Sequence, residues 1–195
     1  MSAGSPSASD AATLPEVLHL GCGRKKCPGA FGVDWVHSPS VDLQHDLAVR
    51  PWPLPSDHFA KVYLIDVLEH LDDVIGALEE VHRVCRARAE VVIIGPSAGS
   101  HHLWGDPTHR RAFTSRSFAC FEAGFGERHF DYTDARFRIV EATYGKWEDW
   151  IHQVHLHWYD RLLHGLANRY TGIYERRFLY WYPIPNLYTR LTVEK

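Results

Sequence analysis

Four short apolar runs mark the first half of the chain, at residues 17–20, 31–35, 60–66 and 90–94. Each is bounded by a glycine, a proline or an aspartate, and β-branched side chains are common within them. Runs of this length and content are typical of strands that are buried on both faces of a parallel sheet. The pattern therefore predicts four strands before residue 95.

A helical pattern separates the third run from the fourth. Asp72 and Asp73 stand where an N-cap is expected, before apolar side chains at three- and four-residue spacing. These side chains are Val74, Ala77, Leu78, Val81 and Cys85. A second, shorter helix is predicted over 115–123, capped near Thr114 and ended by Gly124. Strands separated by helices need crossover connections, which predicts a parallel sheet with helices on both faces.

The second half of the chain has a different pattern. It predicts a long strand over 137–147, an amphipathic helix over 148–168 and a closing strand over 187–193. One face of the helix is apolar and is expected to pack on the sheet or to cover a pocket, with a homodimer contact as the alternative. This face consists of Ile151, Val154, His155, Trp158, Leu162 and Leu166. The predicted fold class is α/β, a doubly wound, mostly parallel sheet with an antiparallel closing strand and a late helical and aromatic insertion over 148–182.

Composition and charge narrow the function classes. The chain has 195 residues, of which 45% are hydrophobic, as in one globular domain, here expected over 14–195 after a disordered tail at 1–13. A formal net charge of -3 gives no basic footprint, so a nucleic-acid partner is not expected. No apolar run reaches the roughly 18 residues of a transmembrane helix. The first residues lack the basic and apolar regions of a secretory signal, which predicts a cytoplasmic location.

The turn after the first strand carries the strongest local signal, in the sequence Val17-Leu-His-Leu-Gly-Cys-Gly23. Two glycines at such a turn allow a ligand to approach the backbone. Asp34 follows 11 residues after Gly23, at the end of the second run. A carboxylate there can accept hydrogen bonds from a ribose diol, while the alternative is an ordinary surface aspartate.

Two further acidic positions follow the later strands. Asp46 can accept a hydrogen bond from an adenine amino group while Leu47 packs on the ring, or it can cap a turn. Asp66 begins the sequence Asp-Val-Leu-Glu-His-Leu at the carboxyl end of the third run. Open α/β sheets bind their ligands at that edge.

The combined order of motifs resembles the class I S-adenosylmethionine-dependent methyltransferases, and most of all the small bacterial proteins of the methyltransferase type 11 kind. The similar segments are Leu-His-Leu-Gly-Cys-Gly (18–23), Pro-Gly (28–29), Gly-Val-Asp (32–34), His-Asp-Leu (45–47), the proline-rich 51–55 and Val-Leu-Glu-His (67–70). The resemblance spans about residues 17–125 and implies a Rossmann-like fold, S-adenosylmethionine as cofactor and S-adenosylhomocysteine as product. One departure is His19, which stands where many of these enzymes have an acid.

The resemblance also implies roles for individual residues. Gly21 and Gly23 would approach the methionine part of the cofactor, Asp34 would hold the ribose, and Asp66 with 67–70 would border the sulfonium. The full set expected to bind the cofactor is Leu20, Gly21, Cys22, Gly23, Asp34, Trp35, Asp46, Leu47, Asp66, Val67 and His70.

The loop 101–114 is predicted to face the methyl acceptor. His109 is the first candidate general base, with Asp106 orienting it, and His70 is the second. Trp104, Arg110 and Arg111 are candidate substrate-binding residues, because arginine can hold an anionic or hydroxyl-rich acceptor. The alternative is a local turn at Asp106 in which His109 only caps or packs.

These features favour methyl transfer to an oxygen or nitrogen of a small-molecule or glycan acceptor. A non-catalytic S-adenosylmethionine-binding module of the same fold is the first alternative. A nicotinamide-dependent oxidoreductase is the second, although the Gly-x-Gly-x-x-Gly pattern that leads into a helix is absent from the sequence. No metal is predicted, because the 14 histidines and four cysteines form neither Cys-x-x-Cys nor His-Glu-x-x-His.

Overall fold

The computed structural model describes residues 14–124, 132–151 and 156–195. The predicted tail at 1–13 and part of the predicted helix over 148–168 lie outside these residues. Within the described segments no helix combines the length and the apolar character needed to cross a membrane. The cytoplasmic location stays a prediction.

A seven-stranded sheet forms the centre of the molecule, in the order β3-β2-β1-β4-β5-β7-β6. Its strands are β1 (Val17–Leu20), β2 (Phe31–Asp34), β3 (Leu43–Gln44), β4 (Phe59–Ile65), β5 (Cys85–Pro96), β6 (Arg136–Tyr144) and β7 (Asn186–Glu194). The first five strands are parallel, and β7 runs antiparallel to both of its neighbours. The α/β class and the antiparallel closing strand are therefore confirmed.

The side chains of the central strands alternate between two apolar layers. Val62 and Leu64 of β4 belong to the larger core, whereas Tyr63 and Ile65 belong to a smaller cluster on the opposite face. Full burial of an aliphatic side chain such as Leu64 contributes roughly 1.5–3 kcal/mol. This period of two, with both faces apolar, explains why the strands appear in the sequence as continuous hydrophobic runs.

The two faces of the sheet are covered differently. Helix α1 (Val74–Val84) lies on the larger core. Its N-cap is Asp73, as predicted, and the Asp73 side chain accepts a hydrogen bond from Gly76 N–H. The smaller cluster is closed by Cys27 and Ala30 and by Trp147, Trp150 and Ile151. Among the described residues these covering segments are turns and coil, so the expected second helical layer is replaced there by loop side chains.

Several element boundaries differ from the prediction. Strand β5 is twelve residues long because it begins directly after α1, and β3 is a two-residue strand that no sequence pattern indicated. Strand β6 ends at Tyr144, since Gly145 takes a positive φ of 74°. A helix α2 (His101–Gly105) lies in the predicted loop. The predicted helix over 115–123 is a set of turns with one short 3-10 helix, Ala119–Phe121.

The late helix was placed too early by the sequence pattern. Helix α3 (Trp158–Arg169) begins after a capping box between His157 and Asp160, and residues 149–151 form a turn. A short helical turn (Thr171–Ile173) and a π-helical turn (Tyr174–Phe178) follow α3.

The side chains of the predicted face that belong to α3 do not pack on the sheet, but Ile151 does, and Leu166 lines an apolar cavity of about 410 Å³ beside this helix. Trp158, Leu162 and Leu166 are exposed, and Ala167 is the only buried residue of this helix. Val154 and His155 of the predicted face lie outside the described residues. The other possibility, a homodimer contact through this face, stays a prediction.

Candidate functional site

The carboxyl ends of the parallel strands meet at one edge of the sheet, and two cavities open there. Gly21 follows β1, Asp34 ends β2, Asp66 follows β4 and Pro96 ends β5. We call the first cavity, which is lined by Gly21, Asp34 and Asp66, the glycine-turn cleft. We call the second, which contains five histidines, the histidine cavity.

The glycine-turn cleft has a volume of about 520 Å³, which suits a nucleoside-sized ligand. Eight of the residues expected to bind a cofactor line it, namely Gly21, Asp34, Trp35, Asp46, Leu47, Asp66, Val67 and His70. The cleft is also lined by residues that were not expected to bind a cofactor, namely His45, Ala48, Leu71, Asp72 and Thr108. They lie next to the predicted motifs in the sequence or in the loop after β5, so their position in the cleft is visible only in the folded structure.

The turn after β1 depends on its two glycines for different reasons. Gly21 has a φ of 66°, and a Cβ built on it would lie 2.2 Å from Cγ2 of Val67. Gly23 has a φ of 51°, but a Cβ there would meet no atom within 4 Å. Gly21 is therefore required by close packing as well as by backbone conformation, and Gly23 by conformation.

The Asp34 carboxylate is held by two backbone donors. Oδ2 accepts a hydrogen bond from Gly23 N–H over 2.7 Å, and Oδ1 accepts one from Val36 N–H over 3.0 Å. Asp34 is almost fully buried, yet it lines the glycine-turn cleft. A carboxylate oxygen can accept more than one hydrogen bond, so Asp34 keeps acceptor capacity for a ligand hydroxyl.

The far end of the cleft combines a polar turn with apolar surfaces. Asp46 Oδ1 accepts a hydrogen bond from Ala48 N–H over 2.9 Å, so this residue caps a turn in addition to lining the cleft. The Leu47 carbonyl accepts a hydrogen bond from Trp52 Nε1, which fixes the Leu47 backbone. Trp35 is 73% exposed and offers a flat ring at the cleft rim.

Three of the expected cofactor residues do not line the cleft. Leu20 is fully buried in the main core. Cys22 is also buried, and its thiol donates to the Ser40 carbonyl. Gly23 uses its N–H for Asp34. These three residues therefore stabilise the glycine turn without lining the cleft.

The histidine cavity is larger, about 940 Å³, and lies on the side of β5. In the described part of the chain its lining includes three aspartates and five histidines but no lysine or arginine. The aspartates are Asp66, Asp106 and Asp160, and the histidines are His70, His101, His102, His109 and His164. Burial lowers the pKa of His70, His102 and His164, so these rings are neutral near neutral pH. The cavity therefore favours neutral or cationic ligands over anions.

Hydrogen bonds define the tautomer of His70. The Thr108 hydroxyl donates to Asp106 Oδ1 over 2.6 Å, because a carboxylate only accepts. The 2.9 Å contact between Thr108 Oγ1 and His70 Nδ1 then requires that Nδ1 carries the proton. In the neutral ring, Nε2 of His70 consequently has a free lone pair.

His109 is oriented by a backbone carbonyl. Its Nδ1 lies 3.0 Å from the His102 carbonyl oxygen, which can only accept, so Nδ1 carries a proton here too. The predicted orienting residue, Asp106, lies 4.0 Å from His109 Nε2, beyond hydrogen-bond distance. Asp106 thus orients His70 through Thr108 and contributes only its charge to His109. The rings of His70 and His109 are neighbours, with centroids 4.7 Å apart.

Glu69 lies beside these two histidines; the sequence placed it in the Val-Leu-Glu-His motif (67–70) but gave it no role of its own. Its side chain is fully buried, and neither carboxylate oxygen makes a hydrogen bond of acceptable geometry among the described residues. Burial raises the pKa of Glu69 to about 8; the backbone N–H groups of Glu69 and Val67 oppose this increase, and the charges of Asp66 and Asp106 add to it.

The three predicted substrate-binding residues are not part of the histidine cavity. Arg110 lines the glycine-turn cleft instead and forms an ion pair with Asp72. Arg111 donates to the Asp72 carbonyl. Trp104 is 83% exposed on α2 and lines neither cavity. Their contact with an acceptor stays a prediction.

Asp66 and His70 line both cavities, so they mark the junction between them. Asp66 has a φ of 51°, a conformation that is uncommon for a residue with a side chain. Its N–H donates to the Ile94 carbonyl, which anchors this bend to the end of β5. The junction is therefore built on two central strands of the sheet.

Comparison with known proteins identifies the fold. No protein-family model matches the sequence, and no curated protein matches it significantly. Among solved structures, the YcgJ protein from Bacillus subtilis is similar with a TM-score of 0.55 at 16% identity, covering 93% of this chain and 92% of that one. An S-adenosylmethionine-dependent methyltransferase from Mesorhizobium loti has a TM-score of 0.52 at 14% identity, covering 93% and 94%.

A third similar structure shows that the fold does not fix the reaction. The [4+2]-cyclase SpnF has a TM-score of 0.51 at 14% identity and covers 93% of this chain and 75% of that one. One architecture can therefore carry different chemistries, and the reaction must be argued from the site. The sheet order, the glycine turn and these similarities together show that the chain has the fold of the class I S-adenosylmethionine-dependent methyltransferases.

Proposed function

We propose that this protein is an enzyme that transfers a methyl group from S-adenosylmethionine to an oxygen or nitrogen of a small-molecule or glycan acceptor. The observation that carries the proposal is the shared wall of the two cavities. Asp66 and His70 line both the glycine-turn cleft and the histidine cavity. A donor bound in one cavity and an acceptor bound in the other would meet at these residues, and such positioning is the main requirement of a displacement reaction.

The residues of the glycine-turn cleft fit the cofactor by their chemistry. Asp34 would accept hydrogen bonds from the ribose hydroxyls, as its free acceptor capacity allows. Leu47 and Trp35 would offer apolar surface to the adenine, with Asp46 beside its amino group. Gly21, Asp66 and Val67 would border the methionine part. Leu20, Cys22 and Gly23 would hold the turn in shape.

The residues of the junction can handle the proton of an acceptor. When bound, S-adenosylmethionine supplies an activated methyl group on a sulfonium, and it leaves as S-adenosylhomocysteine. His70 presents its unprotonated Nε2 and can take the acceptor proton at that atom. Asp106 stabilises the resulting positive ring through Thr108. His109 presents a second Nε2 and would hold or deprotonate the acceptor beside it.

The two alternatives find different support. A dinucleotide needs a helix N-terminus for its pyrophosphate, but residues 24–30 after the glycine turn contain no helix, which disfavours a nicotinamide cofactor. A binding module without catalysis would need no proton acceptor at the junction, yet His70 offers an unprotonated Nε2 there, with His109 beside it. Methyl transfer accounts for both cavities.

The proposal is tested by calorimetric titration of S-adenosylmethionine and S-adenosylhomocysteine into the wild type, Asp34→Ala and Asp42→Ala. Asp42 is a matched control because its carboxylate also accepts a backbone hydrogen bond, from Gly32 over 2.7 Å, but lines neither cavity. We expect micromolar binding, weakened about ten- to a hundredfold by Asp34→Ala and unchanged by Asp42→Ala. A folded wild type that binds neither compound would refute the proposal.

A further inference from the structure

We propose that Glu69, His70 and His109 bind a divalent first-row transition metal ion through a Glu69 carboxylate oxygen and Nε2 of each histidine. One ligand atom from each residue, a carboxylate oxygen and a ring nitrogen of each histidine, lies within 4.8 Å of the other two, and the hydrogen bonds of the rings assign Nε2 as the nitrogen that is available. Two imidazoles and one carboxylate form a donor set that suits Fe²⁺, Mn²⁺, Co²⁺ or Zn²⁺ and leaves positions open for a further ligand.

The buried carboxylate is the first independent observation. Glu69 is fully buried, and although the backbone N–H groups of Glu69 and Val67 lie near its carboxyl, neither oxygen makes a hydrogen bond of acceptable geometry among the described residues. A charged carboxylate without partners is costly in such a place, and either a proton or a bound cation removes this cost, so a metal ion would take the place of the proton. The carboxylate is also adjacent in sequence to one of the two histidines, which places both at the same edge of the sheet.

The orientation of the histidines is the second observation. A metal-binding histidine usually donates its other ring N–H to a hydroxyl, carboxylate or carbonyl. His70 donates to Thr108 Oγ1, which in turn donates to Asp106, and His109 donates to the His102 carbonyl. Both rings are thus held with Nδ1 occupied and Nε2 free, the state that a metal ion requires.

Local charge favours a cation. Asp66 and Asp106 line the same cavity, and its described lining contains no lysine or arginine. Bond lengths of about 2.0–2.2 Å allow at most about 4.4 Å between two ligand atoms of one ion, so a pair at the 4.8 Å limit would have to approach by side-chain rotation. His70 and His109 line the histidine cavity but the buried Glu69 does not, so the ion would reach the Glu69 carboxylate past the two histidines.

The protein could bind the ion whether or not it transfers methyl groups. A role of the ion in the reaction, however, rests on the proposed function. The ion would occupy the Nε2 lone pairs of His70 and His109. In the metal-free protein His70 would accept the proton as proposed above, whereas in the loaded protein both histidines would be ligands. An acceptor hydroxyl held at an open position of the ion would then have a lowered pKa and would release its proton to water. This deepens the proposed function by favouring acceptors with a hydroxyl group.

The experiment is a titration of Co²⁺ into the metal-stripped full-length protein, followed by calorimetry and visible absorption. We expect one ion per chain, at least tenfold weaker binding in both Glu69→Gln and His109→Asn, and binding within twofold of wild type in His101→Asn. His101 is the matched control, since it lines the same cavity but is not one of the three proposed ligands. Circular dichroism checks that each variant is folded.

The outcomes separate the two proposals. No Co²⁺ binding by the folded wild type, equal binding in all variants, or a thiolate charge-transfer band from Cys22 or Cys27 would each overturn the metal site. S-adenosylhomocysteine is titrated into the same preparations. Binding of that compound without Co²⁺ binding refutes only the metal site, whereas the reverse refutes only the proposed function.

Discussion

The Asp34 carboxylate accepts a hydrogen bond from the backbone N–H of Gly23, with 2.7 Å between Oδ2 and N. This contact joins the ends of β1 and β2 and holds the glycine turn against the acid that follows it in the sequence. Two motifs that were identified separately are therefore one structural unit. The carboxylate shapes the cleft that it also lines, so its loss is expected to affect the turn and a bound ligand together.

Gly21→Ala is expected to be more damaging than Gly23→Ala. The new methyl group would overlap Val67 at position 21 but meets open space at position 23. We expect a loss of about 2–4 kcal/mol of unfolding free energy for Gly21→Ala and of about 1–2 kcal/mol for Gly23→Ala, measured by urea denaturation. Val67→Ala in the Gly21→Ala background should recover part of the loss. Equal losses in the two single variants would show that packing against Val67 has no effect.

His19 is expected to make stability depend on pH. Burial lowers its pKa to about 4, with the charge of Asp34 opposing the decrease, whereas the unfolded value is about 6.5. The unfolded chain therefore binds an extra proton between these values, and stability that is complete above pH 6.5 is lost as the pH falls. The loss from this residue is about 2–3 kcal/mol at pH 4.

The measurement compares His19→Asn with the wild type in urea unfolding at several pH values. Asparagine lacks the titration but keeps an acceptor for Cys27 N–H, which donates to His19 Nδ1 over 3.1 Å. The difference in unfolding free energy between the two proteins should be constant above pH 7 and should shift in favour of the variant as the pH falls. A difference that is independent of pH would contradict the burial of a neutral ring.

Thr108 is expected to position His70 for metal binding. Thr108→Val removes the hydroxyl that accepts a hydrogen bond from His70 and donates one to Asp106. Loss of a residue that hydrogen-bonds to a metal ligand typically weakens metal affinity about 10–100-fold. Thr108→Ser keeps the hydroxyl and should restore Co²⁺ affinity. Thr114→Val is the control, because the hydrogen-bond partners of the Thr114 hydroxyl in the described part of the chain are Arg116 N–H and the Ser117 hydroxyl. If Thr108→Ser binds as weakly as Thr108→Val, the hydroxyl is not the cause.

Tyr144 is expected to stabilise the late part of the chain. Its hydroxyl donates to Glu175 Oε1 over 2.7 Å, and the same oxygen accepts from Ser115 N–H over 2.8 Å. Tyr144→Phe should therefore lower the free energy of unfolding by about 1.5–3 kcal/mol in urea denaturation. Tyr180→Phe, at a residue that is 79% exposed, should change it by less than about 0.5 kcal/mol. Equal effects of the two variants would show that the Tyr144 hydroxyl makes no net contribution.

The central strands and the first helix were predictable because their signals are local. Val62 and Leu64 alternate with Tyr63 and Ile65, and Asp73 precedes a run of helical period, so burial and capping are visible in the sequence. The late helix was predicted too early because apolar residues at helical spacing begin at Ile151 in the sequence, whereas residues 149–151 form a turn and α3 begins at Trp158. Its start depends on the capping box of His157 and Asp160.

The sequence by itself determined the α/β class, the glycine turn and the acids at the strand ends, since each depends on residues close together in the chain. Only the tertiary structure decided that Asp106 orients His70 instead of His109. It also decided that Glu69, which follows β4, lies beside His109, which follows β5. Glu69 and His109 are brought together by the pairing of β4 with β5. Such pairing depends on the order and register of strands, which no local pattern of hydrophobic and polar residues specifies.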